Sequence, residues 1–228
     1  MQINEIFYSI DGEGIRTGKL VTFIRTQFCN CKCSYCDTAY SLEAYDADGN
    51  KLYKDMTVDE VIEEVQKYPT KCITFTGGEP LIQPDAPELI TKLVDMGYEV
   101  NVETNGAVDL VEFEKQLLPH VVDSDNFFYT MDYKCPSSDM EPKMVKDNIP
   151  HLQQKDVLKF VVGTIEDLNT MKNIVQTYNP NCEIFISPVF GDMDGETMVE
   201  YIKQNNLLNV RVQVQLHKIF WDVNMRGV

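Results

Sequence analysis

Seven short runs rich in β-branched and aromatic residues alternate along the chain with stretches of helical periodicity, which restricts the fold to an α/β architecture with a mostly parallel sheet. The runs cover residues 21–25, 72–76, 98–103, 127–132, 157–162, 183–189 and 210–216. Between the first two, Val58, Val61, Ile62 and Val65 fall at i, i+3, i+4 and i+7. Thr57 and Glu60 form a capping-box pattern ahead of them, and Tyr68-Pro69 stops the helix. A second helix is expected over 86–96, closed by Gly97. Others are expected over 108–118, 165–178 behind the Thr164 cap, and 196–205. The polar stretch 41–54 reads as a surface loop or short hairpin. No repeat, low-complexity tract or linker interrupts the pattern, so one domain over 1–228 is expected. About six βα units fit a partial barrel, one strand short of the usual eight.

Unusual polar, glycine and cysteine residues follow the ends of these runs: the cysteines after Arg25, Gly77-Gly78-Glu79 after Thr76, Thr104-Asn105-Gly106 after Glu103, Lys134 after Asp132, and His217-Lys218 after Leu216. Ser187-Pro188 lies late in its run. In parallel α/β folds that edge carries the active site, so a single composite site is expected. Composition narrows the partners. With 20 Lys+Arg against 36 Asp+Glu the net charge is −16, which disfavours direct binding to nucleic acid or an anionic membrane surface. No apolar run reaches transmembrane length, and residues 1–10 lack the basic and apolar regions of a secretion signal, so a cytoplasmic location is expected.

Four of the seven cysteines, Cys29, Cys31, Cys33 and Cys36, fall within eight residues. Such crowding in a chain of this kind points to metal or redox chemistry rather than a disulfide framework. A structural zinc site draws its ligands from two separated pairs, and no second pair exists here. A three-cysteine loop can instead bind three irons of a [4Fe–4S] cube and leave the fourth open. Cys29, Cys33 and Cys36 are the preferred set, Cys31, Cys33 and Cys36 the alternative; a zinc or redox-thiol loop is the competing use.

The spacing Cys29-x3-Cys33-x2-Cys36, with Tyr35 before the last cysteine and Asp37-Thr38 after it, together with GGEP at 77–80, resembles the radical S-adenosylmethionine (SAM) superfamily. Segments FYSIDGEG at 7–14, CSYCDT at 33–38, TGGEPL at 76–81, ETNG at 103–106, DYKCPSS at 132–138, KFVV at 159–162 and QLHK at 215–218 resemble, across nearly the whole chain, the 7-carboxy-7-deazaguanine synthase family. That resemblance implies a partial radical SAM barrel, (β/α)6, with an N-terminal extension and a C-terminal strand. It also implies contraction of 6-carboxy-5,6,7,8-tetrahydropterin to 7-carboxy-7-deazaguanine with loss of ammonia, on the route to queuosine. The cofactors implied are a [4Fe–4S] cluster, SAM, regenerated in each turnover, and Mg²⁺. The partners are an electron donor such as flavodoxin or ferredoxin and a second copy in a homodimer.

Residue by residue, the resemblance gives the cluster to Cys29, Cys33 and Cys36 and Mg²⁺ to Thr38. SAM falls to Tyr35, Cys36, Asp37, Gly78, Glu79, Asp132, Tyr133 and Lys134, and the pterin to Ile10, Asp11, Gly12, Glu13, Arg25, Thr76 and His217. Arg25 also makes independent sense, since a guanidinium grips a carboxylate with two nitrogens. Asp11 departs from the family's usual Gln and sets a negative charge beside a carboxylated substrate; Asp132-Tyr133 stands where Ser-Pro is common. The competing functions are a glycyl-radical-enzyme activase of the same superfamily and a non-catalytic iron–sulfur or zinc module.

Overall fold

The computed structural model describes every residue except position 224. A nine-stranded sheet runs through it: β1 Gln2–Ile10, β2 Leu20–Thr26, β3 Lys54–Asp55, β4 Cys72–Gly77, β5 Glu99–Thr104, β6 Phe127–Tyr133, β7 Val157–Val162, β8 Glu183–Pro188 and β9 Val210–Val212. The order is β3-β1-β2-β4-β5-β6-β7-β8-β9, antiparallel from β3 to β2 and parallel from β2 to β9. With β3 at one edge and β9 at the other, the sheet does not close.

Main helices follow the strands: α1 Val58–Val65, α2 Ala86–Asp95, α3 Leu110–Glu114, α4 Pro119–Val122, α5 Asn148–His151, α6 Ile165–Tyr178, α7 Gly195–Gln204 and α8 His217–Phe220. The capping box at Thr57 and Glu60 forms as its sequence predicts. All seven expected strands are present, but two expectations need correction and one full strand was not anticipated. The helix expected over 108–118 is shortened to α3: residues 115–117 turn, and Leu118, ahead of Pro119, is extended (ψ 143°) before α4 starts afresh. The last strand stops at Val212, which places His217 in the short helix α8 rather than on a strand. Finally, β1 is a full strand whose alternation is blurred by an irregular register between Ile3 and Glu5. No helix among the described residues is long and apolar enough to cross a membrane.

The two faces of the sheet differ in chemistry. Ile73, Phe75, Val100, Val102, Tyr129, Met131, Leu158, Phe160, Ile184 and Ile186 pack into one continuous core with the apolar sides of the helices. The intervening residues, Thr74, Thr76, Asn101, Thr130, Lys159 and Ser187, are polar yet buried. Because strand side chains alternate, these share the opposite face. A segment between β1 and β2 lies across that face. Arg16 anchors it, donating to Asp11 (3.0 Å), to the Ile73 carbonyl (2.9 Å) and to Thr74 Oγ1 (2.5 Å), with its guanidinium 5.4 Å from the Phe128 ring centre.

Candidate active site

At the C-terminal edge of the parallel strands a cavity of about 720 Å³ opens on the polar face. Its size lies within the range of small-molecule sites. The loop after β2 brings the four clustered cysteines to its wall, and Gly77-Gly78 makes that approach possible. Gly77 has φ 148°, and a Cβ there would lie 2.3–2.5 Å from Thr26 atoms. A Cβ on Gly78 would lie 2.1 Å from the Phe28 carbonyl oxygen and 3.0 Å from Cys29 Cβ. Hydrogen bonds from Gly78 N to Thr26 O (3.0 Å) and from Glu79 N to Phe28 O (2.9 Å) then join the two loops. Phe28, left-handed at φ 69°, turns the chain out of β2 into the cysteine loop.

Cys29, Cys33 and Cys36 are half-buried and line the cavity, whereas Cys31 is only 2% exposed. Hydrogen bonds from Cys31 and from Asn105 Nδ2 (3.3 Å) favour the Cys29 thiolate and bring its pKa down to about 6. Burial pushes Cys33 and Cys36 upward instead. Among the described residues no three Cys, His, Asp or Glu side chains converge on one ion. A cube presents separate irons to separate thiols, so three half-exposed thiols along one wall suit a cluster. The loop is clamped from outside: Ser34 N donates to Ser138 O (3.1 Å), Lys32 N to Met140 Sδ (3.3 Å), and Lys143 Nζ to Asn30 O.

Next to the thiols lies a charge network. Asp132 and Lys159 are register partners on β6 and β7. Lys134 Nζ is 2.6 Å from Asp132 Oδ2, and Lys159 Nζ is 3.2 Å from Oδ1. Burial opposes the Asp132 carboxylate, but the two ammonium groups outweigh it and hold its pKa below the ordinary value. Oδ1 is buried, and its near partner among the described residues is the Lys159 ammonium. Lys159 also donates to Glu13 Oε2 (3.2 Å). Ser187 Oγ (2.8 Å) and Gln215 Nε2 (3.2 Å) complete the cradle of Glu13.

Arg25 lines the cavity with its Nε engaged by Glu5 (2.8 Å), while its terminal nitrogens make no hydrogen bond among the described residues. Thr76 donates to Glu103 Oε2 (3.0 Å), and both line the cavity. His217 lines it as well, with burial first among the causes that lower its pKa, which favours the neutral ring. A Cβ on Gly12 would come 2.7 Å from His217 Nδ1, so glycine there leaves room for the imidazole. Asp37 pairs with Lys218 (3.1 Å); burial would raise its pKa, but Lys218 and neighbouring hydrogen bonds bring it to about 2. Thr38 donates to Asp37 Oδ1 (3.0 Å) and faces the cavity. These hard oxygens suit Mg²⁺, a cation held by few protein ligands and completed by substrate and water.

Of the anticipated site residues, Cys29, Cys33, Cys36, Tyr35, Asp37, Thr38, Gly78, Asp132, Lys134, Glu13, Arg25, Thr76 and His217 share this one cavity. Five lie elsewhere. Ile10 ends β1 opposite Leu20, Gly12 supports His217, and Asp11, 1% exposed, is turned to Arg16 and Thr74. The negative charge of Asp11 is therefore matched within the fold, by Arg16. Tyr133 packs against Phe160 in the core and donates to Glu141 (3.0 Å). Glu79 is fully buried, accepting from Leu81 N (3.1 Å) and Thr104 Oγ1 (2.9 Å) at one oxygen and from Asn105 N (2.7 Å) at the other, so it ties the loops together. Lys159, Glu103, Asn105, Gln215 and Lys218 line the cavity without having been singled out as contacts. The signal for Lys159 and Glu103 was present: polar residues at alternate positions of strands in a parallel sheet, where apolar runs are the rule.

Residues 23–161 match the Radical SAM superfamily. The 7-carboxy-7-deazaguanine synthase of Clostridium acetobutylicum is 40% identical over 230 residues, covering 100% of this chain and 99% of the relative. That of Thermoplasma acidophilum is 35% identical over 221 residues, covering 97% of each chain. In fold, the crystal structure of QueE from Escherichia coli superposes with a TM-score of 0.71 at 20% identity, covering 94% of this chain and 93% of the other. Streptococcus suis SuiB superposes at 0.59 and 11% identity, over 85% of this chain and 48% of its own.

Proposed function

The chain belongs to the 7-carboxy-7-deazaguanine synthases of the radical SAM superfamily, and from that membership we propose that its cavity converts 6-carboxy-5,6,7,8-tetrahydropterin to 7-carboxy-7-deazaguanine with release of ammonia, supplying queuosine synthesis. The observation that carries this reading is that the cysteine wall and the group Glu13, Arg25, Thr76 and His217 open onto one cavity. Bound there, a [4Fe–4S] cluster with SAM supplies the radical that removes a substrate hydrogen. Every other task falls to the chain. Cys29, Cys33 and Cys36 hold the cluster while Cys31 stays outside its ligand set, and the whole chain acts as one catalytic domain. Asp132 and Lys134 take the ribose and carboxylate of SAM, Tyr35, Cys36 and Asp37 its adenine side, and Gly78 its methionine end.

Arg25 uses its terminal nitrogens to bind the substrate carboxylate, which places a fixed positive charge against the only anionic group of the pterin. Glu13 accepts from the amine-bearing edge of the ring, and neutral His217 closes the cavity over it. Thr38 would contribute a hydroxyl to a bound Mg²⁺, a cation that would help orient the substrate carboxylate. A flavodoxin or ferredoxin delivers the electron, and the working assembly is a homodimer. Neither the activase nor the non-catalytic module gains support from full-length relatives that share the deazaguanine synthase name.

Anaerobic turnover of the pterin with reconstituted protein, SAM, reductant and Mg²⁺ tests the proposal by the appearance of 7-carboxy-7-deazaguanine and ammonia. No product from fully iron-loaded protein overturns it. The same assay without Mg²⁺ tests the Thr38 assignment.

A further inference from the structure

Lys159 stands between the two halves of the cavity. It rises from the middle of β7, is 6% exposed, and places its ammonium 3.2 Å from Glu13 Oε2 and 3.2 Å from Asp132 Oδ1. Glu13 belongs to the segment that crosses the sheet from the β1 side, and Asp132 to β6 beside the cysteine wall. Lys159 is the one residue within 4.0 Å of both carboxylates among the described ion pairs. The other partners divide cleanly: Ser187 and Gln215 hold only Glu13, and Lys134 holds only Asp132.

We infer that Lys159 is a positioning residue that couples the substrate half of the site to the SAM half, its ammonium fixing Glu13 and Asp132 against each other so that filling one half orders the other. This rests on the function proposed above, which places the pterin at Glu13 and SAM at Asp132. Three carboxylates, those of Asp132, Glu13 and Glu103, hold the Lys159 ammonium charged despite its burial, so the tether is permanent across the working pH range. Without it, Glu13 and Asp132 face each other as like charges in a poorly solvated space and turn apart. Lys159 itself need not touch either ligand. The coupling is reciprocal by thermodynamic necessity: whatever factor the pterin adds to SAM affinity, SAM adds to pterin affinity.

Equilibrium dialysis of SAM against cluster-loaded protein, with and without the pterin and with reductant omitted to prevent turnover, measures that factor. In the unmodified protein the pterin is expected to tighten SAM binding. In Lys159→Met the tightening is expected to vanish and the SAM Kd to rise by on the order of tenfold, because Glu13 then keeps no cationic partner and Asp132 keeps only Lys134. Lys159→Arg, which keeps the charge, is expected to restore part of the coupling. A Lys159→Met protein that couples the two ligands as the unmodified protein does overturns the inference, as does an unmodified protein with no coupling at all. If the pterin binds nowhere on unmodified protein, the substrate assignment is what fails. The SAM Kd then decides on Lys159, with a change below about twofold counting against it. Should Lys159→Met not fold, Lys159→Arg is read alone: unchanged ligand coupling supports the tether, and full loss of coupling in a folded Lys159→Arg overturns the charge-based account.

Discussion

Replacing Gly78 by alanine tests how the cysteine loop is held. The new Cβ would sit 2.1 Å from the carbonyl oxygen of Phe28 and 2.5 Å from its carbon, and both obstacles are backbone that no rotamer change can clear. Reaching even a 3.0 Å contact requires the two loops to part by about 0.9 Å. That separation stretches the Gly78 N to Thr26 O and Glu79 N to Phe28 O hydrogen bonds, now 3.0 and 2.9 Å, beyond useful length. Losing both costs about 1 kcal/mol each, and the overpacking itself costs about 1–3 kcal/mol. The expected loss is about 3–5 kcal/mol, a large share of the roughly 5–15 kcal/mol that stabilises a domain. Urea unfolding of the apoprotein measures it, and iron content after anaerobic reconstitution should fall too, because Cys29 moves with Phe28. Gly195→Ala is the control: it opens α7 with nothing within 4 Å of its Cβ and should be neutral or stabilising by about 0.5–1 kcal/mol. A Gly78→Ala protein that unfolds within about 0.5 kcal/mol of the original and binds full iron refutes the packing account.

Other outcomes follow from the same geometry. Cys31→Ala should keep the cluster and activity while Cys33→Ala loses both, as read by iron content and electron paramagnetic resonance; loss of the cluster from Cys31→Ala would move the ligand assignment. Burial pushes Glu79 up from 4.5 to about 7, so between those pH values the folded apoprotein binds more protons than the unfolded chain. Stability should therefore fall as pH rises across that window, by up to about 1.4 kcal/mol per pH unit, and Glu79→Gln should flatten the dependence in urea unfolding series. Arg16→Met strands the buried Asp11 carboxylate and should cost about 3–5 kcal/mol, whereas Asp11→Asn/Arg16→Met should recover much of it; equal losses in both proteins would show that the ion pair is unimportant.

The parallel sheet and the edge that carries the site were legible because each rests on local pattern. A run such as 72–76 is apolar and β-branched whatever surrounds it, and glycines, cysteines and a lysine at strand ends mark an edge. Strand β1 was not legible, since its irregular register and mixed exposure erase the alternation a strand is recognised by. Cysteine spacing by itself indicates that the four thiols lie together, as they do on the cavity wall. Asp11, Tyr133 and Glu79 lie off the cavity lining for a shared reason: a motif places a residue in the chain but does not say which way its side chain turns. Asp11 turns towards Arg16, a partner five residues away that only the bent segment brings near. Glu79 is consumed by donors at positions 81, 104 and 105. Lys159 escaped notice in an otherwise apolar strand because its partners come from residues 13 and 132.

The unclosed sheet has a consequence for how the protein is made. Where further strands would complete the wall, Gly14 N donates to the Gln213 side chain and the Gln215 side chain donates to Glu13, contacts that span 199 and 202 residues of sequence. At ribosomal speeds of about 5–20 residues per second, roughly 10–40 s separate the emergence of Cys29 from that of Gln215. Through that interval the nascent chain carries its cysteine loop beside a cavity that has no far side. Iron–sulfur loading into a finished pocket must therefore wait until translation has passed the last of these contacts, and any assembly factor that loads it acts on a chain already extended past Gln215.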